Sequence, residues 1–547
     1  PARRPVEGID EGLDRARILT PADRRANPVT TPEPAGYVTD VSYIPGFYPN
    51  LAPMAMRHVA ALNKVAPPRV TDGFRYLELG CGLGRTLTTL AAADPRGDFT
   101  GVDINPEHTA FCTREIAGGG LANARVVTSD FAGLPDDLRD FDFITLHGVW
   151  SWVAPEVRAD ILRIASERLA PGGLLLVSYN AMPGWAHLLP IRGILRQYAA
   201  LRQGDSARRV REAVEYLAFV RDHGAKYFQD NPAAAKYVDT IRSQDPRYLA
   251  HEYLNEHWTS FYFSEVSAAF GGAGLTYAGS LPVQTNFWDL CVAPGFQELF
   301  RTTSDRLVTE AHKDFCAKNM FRWDLFTRQP RPLPDAAARI REVDDLWYRT
   351  ARSGITLPYS VNLGVVTSTV QGPPYAALLE MLAGRGMRLS EIVADSRVAG
   401  ASPDDLVRSL DAGVALRMFD VGIGPLVAGD TAGSGPIRIP SAFNRHVLAS
   451  DLLGGRGVPL ASDVTGSAVT LGDFDAAILS ELAAGGPEGV AARIDGLLVA
   501  HDRVLNHQGN PITDPAERLS RIESGCTAFR ESVLPLLVAQ GIVADGA

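Results

Sequence analysis

Between residues 74 and 177 the chain alternates between short apolar runs and amphipathic stretches bounded by turn residues. Phe74-Arg75-Tyr76-Leu77-Glu78-Leu79 has strand character, and Arg85 to Ala93 reads as a helix closed by Asp94-Pro95-Arg96-Gly97. Phe99 to Asp103 predicts a second strand. Asn105-Pro106 then supplies an N-cap with proline at the first helical position, and Gly118-Gly119-Gly120 ends that helix. Ala124 to Thr128 and Phe141 to Leu146 predict two more strands. Pro155 to Leu169 predicts a helix with Val157, Ile161 and Ile164 on one face, stopped by Pro171-Gly172-Gly173. Leu174 to Val177 follows as a continuously apolar strand, suited to burial on both faces. Strands alternating with helices of this length predict an α/β fold built on a parallel, doubly wound sheet.

Downstream the period changes. Leu188 to about Tyr248 is helical without strand signals, Ser264 to Gly274 predicts one more helix, and Leu275 to Ala278 a further strand. A helical insert therefore interrupts the alternating fold. Gln329-Pro330-Arg331-Pro332-Leu333-Pro334 predicts a linker. Beyond it, Pro374 to Leu382, Leu389 to Asp395 and Pro403 to Ala412 predict short helices. Upstream, prolines at 1, 5, 21, 28, 32 and 34 break any long helix.

A chain of 547 residues exceeds one hydrophobic core, and roughly three or four domains are expected. No apolar run approaches the ~18 residues of a membrane span, and the N-terminal stretch lacks the apolar centre of a secretory signal. Five scattered cysteines without CxxC spacing fit a reducing cytoplasm better than a disulfide framework or a zinc site. Net charge is −10, and from Ser360 onward 13 Arg, no Lys and 21 Asp plus Glu leave a balance of −8. Such a surface repels phosphate backbones, which makes nucleic acid a poor expected partner for that half.

Candidate chemistry concentrates at Glu78-Leu79-Gly80-Cys81-Gly82-Leu83-Gly84, between the first strand and its helix. Glycines at 80, 82 and 84 allow a tight turn and a close approach of backbone to a ligand, and the helix N-terminus behind them favours a carboxylate. A dinucleotide fingerprint would place its third glycine at 85, where the chain has Arg85. Asp103 ends the second strand, where a carboxylate can accept from ribose hydroxyls. Ser129-Asp130-Phe131 follows the third strand; Asp130 can accept from an adenine amino group and Phe131 can cover the ring. Each feature also has a structural reading as a turn or helix cap, and three in register with successive strand ends favour the cofactor. No metal-ligand cluster, no Asp/Asn-Pro-Pro-aromatic motif after the fourth strand and no Pro-Cys nucleophile is present, which disfavours metal-assisted chemistry and chemistry on nucleic-acid bases.

The acidic residue before G-x-G-x-G resembles motif I of the class I methyltransferases. More specific segments are His147-Gly148-Val149-Trp150-Ser151-Trp152-Val153-Ala154-Pro155-Glu156, Ser178-Tyr179-Asn180-Ala181-Met182-Pro183-Gly184-Trp185 and His251-Glu252-Tyr253-Leu254-Asn255. Phe261-Tyr262-Phe263-Ser264-Glu265 and Lys318-Asn319-Met320-Phe321-Arg322 complete the set. Together these resemble bacterial class I methyltransferases that carry a methyltransferase regulatory domain, whose best-known members are the rickettsial protein-lysine methyltransferases of outer-membrane proteins. The resemblance runs from about Tyr43 through Arg328 and more weakly to the end. It implies a Rossmann-like class I fold with a helical insert, a middle regulatory domain and a winged-helix-like C-terminal domain. The expected divisions are an extended arm over 1–40, a cofactor domain over 41–180 completed by 264–280, an insert over 181–263, a regulatory region over 281–358 and the C-terminal domain over 359–547.

The same resemblance implies S-adenosyl-L-methionine as cofactor, held by Glu78, Gly80, Cys81, Gly82, Gly84, Asp103, Ile104, Asp130, Phe131 and His147. His147, Trp152, Tyr179 and Tyr43 are the candidate catalytic residues, with Trp150 beside them, because the ends of strands four and five face the cofactor in this fold. The bland reading leaves the two tryptophans as core packing and His147 as a strand cap. His251 and Glu252 are tempting as a pair, but adjacent helical residues do not face each other. The expected activity is N-methylation of lysine side chains in a protein by a cytoplasmic enzyme, dimeric by analogy, with neither nucleic acid nor membrane insertion. A small-molecule O- or N-methyltransferase and a non-catalytic cofactor-sensing interaction protein are the alternatives.

Overall fold

The computed structural model describes residues 36–38, 40–41, 43–352, 354–427, 437–507 and 510–546. Nearly all of the expected arm over 1–40 lies outside the described residues. Helix α1 (Pro53–Leu62) leads into β1 (Phe74–Leu79), α2 (Arg85–Ala93), β2 (Gly97–Asp103), α3 (Pro106–Gly118) and β3 (Ala124–Thr128). Then come β4 (Phe141–Leu146), α4 (Pro155–Arg168) and β5 (Leu169–Asn180). Asn105 caps α3 by accepting from the Glu107 amide at 2.9 Å. Pro171-Gly172-Gly173 lies inside β5 and coincides with a register shift in its pairing to β4.

Five helices follow: α5 (Leu189–Ala199), α6 (Ser206–Asp222), α7 (Lys226–Asp230), α8 (Pro232–Arg242) and α9 (Pro246–Tyr253). They pack on one another through Leu195, Val214, Leu217, Val238 and Leu249. The chain returns to the sheet through α10 (Phe263–Gly272) and β6 (Leu275–Leu281). After the short α11 (Trp288–Cys291) and α12 (Gln297–Thr302) come α13 (Arg306–Ala317) and β7 (Phe321–Arg328).

The seven strands order β3-β2-β1-β4-β5-β7-β6. The first five are parallel, and β7 runs antiparallel between β5 and β6. Both faces are covered: Leu77, Leu79, Ile144, Leu175 and Val177 belong to one core, while Tyr76, Phe99, Phe143, Leu174 and Leu176 belong to another. This burial explains why the strands are apolar runs and not alternating ones.

The segment 264–280 joins the sheet as expected, through β6, but at its edge, because β7 stands between β5 and β6. Its sequence, Phe321-Arg322-Trp323-Asp324-Leu325-Phe326-Thr327-Arg328, does not read as a buried strand because charges stand at 322 and 324. Those charges satisfy each other inside the protein. Arg322 donates to Asp324 at 2.9 Å, to Asp314 at 2.6 Å and to Glu310 at 2.8 Å, and Lys313 pairs with Glu310 at 2.6 Å. Buried ions survive only in such arrangements.

The boundary expected at 358/359 also falls inside a core. Buried residues from Leu333 to Val421 form one cluster, around α14 (Ala336–Val343), β8 (Trp347–Thr350), a hairpin of β9 (Tyr359–Asn362) and β10 (Thr367–Val370), and α15 (Pro373–Leu382). The same cluster takes in β11 (Met387–Arg388), α16 (Leu389–Ala394), α17 (Pro403–Ala415) and β12 (Phe419–Gly422). β8 is the central strand between β11 and β12. A second cluster runs from Ile439 to Val543 and takes in Ala93 of α2. Its helix α18 (Ala442–Asp451) lies against the end of α3, where a Cβ on Gly118 would sit 2.3 Å from the His446 ring and one on Gly119 2.8 Å from Phe443. The glycine run that stops α3 is thus also the surface on which the C-terminal unit docks. Among the described residues no helix is long and apolar enough to cross a membrane.

Candidate active site

The turn after β1 has Gly80, Gly82 and Gly84 at φ +73°, +54° and +74°. Gly80 and Cys81 both donate to the Val102 carbonyl, at 2.8 and 3.0 Å, which ties the turn to β2. The three glycines answer different demands. A Cβ would meet Val149 at 2.5 Å from Gly80 and the Cys112 sulfur at 2.2 Å from Gly84, but nothing within 4 Å from Gly82. Gly82 borders open space in the cavity. The Cys81 sulfur stands against β2, 2.8 Å from where a Gly101 Cβ would be, and burial pushes its thiol up.

Asp103 accepts from the Gly82 amide at 2.8 Å and the Asn105 amide at 2.9 Å, and lies 3.2 Å from His108 Nδ1. Glu78 is buried, and one carboxylate oxygen, Oε2, has no hydrogen-bond partner. Burial, with the neighbouring Asp103 charge, pushes its carboxyl up to about 8. Ile104 is exposed at the cavity wall. Asp130, also exposed, accepts from the Gly133 amide at 2.7 Å, and the half-buried Phe131 stands beside it on the same wall.

A cavity of about 730 Å³ opens from this turn toward the ends of β4 and β5 and is walled on its far side by α9. Of the expected catalytic residues, His147, Trp152 and Tyr43 line it. His147 stacks on Trp323 with ring centres 4.3 Å apart, faces Tyr48 at 3.9 Å, and places Nδ1 2.8 Å from the Ser178 hydroxyl. Burial lowers its pKa to about 3, so the imidazole is neutral at ordinary pH. Tyr179 is not in the wall. Side chains alternate along β5, so Ser178 and Asn180 face the cavity side while the Tyr179 hydroxyl donates to Asp324 at 2.5 Å in the buried charge network. Trp150 is also core, packed 5.0 Å from Phe270, which is the bland reading.

Helix α9 contributes what the sequence reading discounted. Tyr248, His251 and Glu252 line the cavity at the i, i+3 and i+4 spacing of one helical face, and Asn255, just past the end of the helix, joins them. Neighbours on a helix lie only 100° apart, so a broad cavity receives both His251 and Glu252. That spacing, had it been applied to Tyr248, was the available signal. Tyr37, Tyr48 and Trp185 are further wall residues not singled out from sequence.

The described residues between Gly36 and Tyr48 close another side and are bonded on both banks. Val38 donates to Asn255 at 2.9 Å, Glu256 to the Gly36 carbonyl at 2.9 Å, and His251 Nε2 lies 2.8 Å from the Val41 carbonyl. On the opposite bank Tyr48 donates to the Thr86 hydroxyl at 3.1 Å, which donates to the Gly46 carbonyl at 3.2 Å.

Residues 77–173 match the family model "Methyltransferase domain", and residues 245–328 match "Predicted methyltransferase regulatory domain". An uncharacterized protein of Synechocystis sp. is 27% identical over 93% of this chain and 99% of its own length. An uncharacterized protein of Rickettsia prowazekii is 27% identical over 50% of this chain and 49% of its own. The structure of PKMT2 from Rickettsia typhi in complex with AdoHcy superposes with a TM-score of 0.68 at 19% identity, covering 92% of this chain and 99% of that one. The chain carries a methyltransferase domain and a methyltransferase regulatory domain on a Rossmann-like sheet, and its cofactor is S-adenosylmethionine. The site fits that group: Gly82 leaves room beside the turn, Asp103 has lone pairs to spare, and the orphaned Glu78 oxygen has no protein donor.

Proposed function

We propose that this S-adenosylmethionine-dependent methyltransferase transfers methyl groups to the side-chain nitrogen of lysine in a protein substrate. The observation that carries the reading is the set of aromatic rings lining the cavity, Tyr43, Tyr48, Tyr248, Trp152 and Phe321. Aromatic faces attract a cationic amine, by about 2 kcal/mol when desolvated, and give no such preference to a hydroxyl or a phosphate. The likeness to PKMT2 over 92% of the chain gives the two a common fold around the site.

Glu78, Gly80, Gly82, Gly84, Asp103, Ile104, Asp130 and Phe131 would hold the cofactor, which when bound supplies an electrophilic methyl carbon on a sulfonium. The chain's own task is to line up a nitrogen with that carbon and keep water out. His147, fixed by Ser178 and sandwiched between Tyr48 and Trp323, is a rigid neutral wall for that alignment. The non-catalytic alternative requires Trp150 or Trp152 to block the site; Trp150 stands in the core and Trp152 in the wall of an open cavity.

A second reading, methylation of a small molecule, draws support from the described residues between Gly36 and Tyr48, whose bonds on both banks enclose the cavity. The C-terminal units then serve as protein contacts. Their helix order α15-α16-α17 is compatible with a winged-helix-like module, yet Asp411 of α17 is turned inward to Arg339 at 2.6 Å, which suits a packed helix and not one laid on nucleic acid. The test is a proteome-wide search for methyl-lysine in strains with and without the gene. Methyl-lysine sites lost on deletion are expected; an unchanged protein pattern with a labelled small-molecule fraction would favour the second reading.

A further inference from the structure

Glu252 is buried in the cavity wall at the acceptor end, 8% exposed, beside Asn180 at the tip of β5. The Trp258 indole N–H donates to its Oε1 across 3.4 Å, the Asn180 amide, whose Nδ2 has no hydrogen-bond partner, stands close by, and the Arg192 guanidinium lies within electrostatic reach. Tyr43, Tyr237, Tyr248 and Tyr253 surround it at similar range. Among the described residues no Lys or Arg nitrogen forms an ion pair with it. Arg192 instead donates to the Asn255 carbonyl at 2.5 Å and covers the Trp258 ring at 5.4 Å. A carboxylate left unpaired inside an aromatic chamber is costly unless something cationic comes to it.

We propose that Glu252 is a catalytic residue that receives the substrate amine as its ammonium and removes one proton before methyl transfer. This rests on the amine reading above. The nitrogen lone pair freed by that transfer forms the new N–C bond while the methyl carbon's bond to sulfur breaks, its electron pair going to sulfur. The proton remains on Glu252 and passes to solvent as the product leaves. Burial holds the Glu252 carboxyl near 7, above an ordinary glutamate, so it is a stronger base than an exposed one. Desolvation inside the cavity lowers the amine's own affinity for its proton from the ordinary ~10.4, against the pull of the aromatic faces and of the Glu252 charge, and narrows the gap between the two.

The other titratable groups in the wall are less suited. His147 is held near 3 by burial and binds protons too weakly. His251 donates through Nε2 to the Val41 carbonyl, and its electrostatic neighbours are His108 and Asp40 rather than Glu252.

The full-length enzyme would be given labelled-methyl S-adenosylmethionine with poly-L-lysine and, in parallel, with a total protein extract, from about pH 5.5 to 9. Wild type is expected to label lysine with an acidic limb in kcat/KM near pH 7. Glu252→Gln is expected to lose about 100-fold in rate and the limb itself, while calorimetry shows S-adenosylmethionine affinity unchanged within about threefold. Lysine labelling by Glu252→Gln at the wild-type rate and pH profile would overturn the assignment to Glu252 alone. So would an acidic limb that disappears in His251→Asn and persists in Glu252→Gln. No lysine labelled by a well-folded wild type would overturn the amine reading and this role with it.

Discussion

The Gly82 amide donates to the Asp103 carboxylate at 2.8 Å, so the turn that follows the first strand is held open by the end of the second. The carboxylate proposed to hold the cofactor therefore has a structural duty as well, and the glycines around it differ in what they contribute.

Gly84→Ala places a Cβ 2.2 Å from the Cys112 sulfur at φ +74°. It is expected to cost about 2–4 kcal/mol of stability, from left-handed strain and overpacking together. Gly82→Ala meets nothing within 4 Å, so its stability loss is expected near 1 kcal/mol while S-adenosylmethionine affinity falls more than tenfold. Thermal melts and calorimetric titrations of the two variants check this. Unchanged affinity in Gly82→Ala would show that the open space is not the ligand's.

Glu78, held near 8, carries its proton at pH 7 in the free protein. Its folded pKa stands above the unfolded ~4.3, so the native state binds more protons between about pH 4.3 and 8 and the stability due to this group declines as pH rises through that window. Burial of the carboxyl, with the Asp103 charge second, is the cause. A cofactor that brings an ammonium to Oε2 favours the ionised form, so binding at pH 7 is expected to release close to one proton. Titrations in buffers of different ionisation enthalpy read that number directly. A buffer-independent enthalpy in wild type, or a release that persists in Glu78→Gln, would contradict it.

Arg85, next after the last glycine, is buried and bridges Glu115 at 2.9 Å and Asp451 of α18 at 2.9 Å, with His446 3.1 Å from Glu115. The C-terminal unit therefore touches the base of the cofactor turn. Asp451→Asn is expected to weaken S-adenosylmethionine binding about threefold to tenfold although Asp451 does not line the cavity. Arg85→Met, which strands Glu115, is expected to cost about 3–5 kcal/mol of stability. A double-mutant cycle measures the coupling, and an Asp451→Asn variant that binds like wild type would reduce the contact to simple docking.

The strands β1 to β5 were legible because burial on both faces writes them as apolar runs, and the glycine turn because positive φ requires a residue type that can be read directly. β7 was not, since its buried Arg322 and Asp324 look like surface charges until their partners on α13 are known. Tyr179 was misplaced because the strand period had not been carried one residue further, to Ser178 and Asn180. The α9 face was discounted by weighing His251 against Glu252 alone, without Tyr248 and Asn255. The division of the C-terminal half into two cores depends on which apolar residues meet across more than a hundred positions, and no local pattern records that.

The position of β7 also bears on how the enzyme is made. Asn180 pairs with Phe321, and Leu174 with Thr327, so the central sheet cannot close until translation has passed residue 328. Until then the nascent chain carries an open edge on β5 next to a finished glycine turn, and long-range pairings of this kind are slow to form. A fragment ending at 280 would keep that edge permanently. The insert and the residues matched by the regulatory domain thus lie within the span of the catalytic sheet, which is complete only through Arg328.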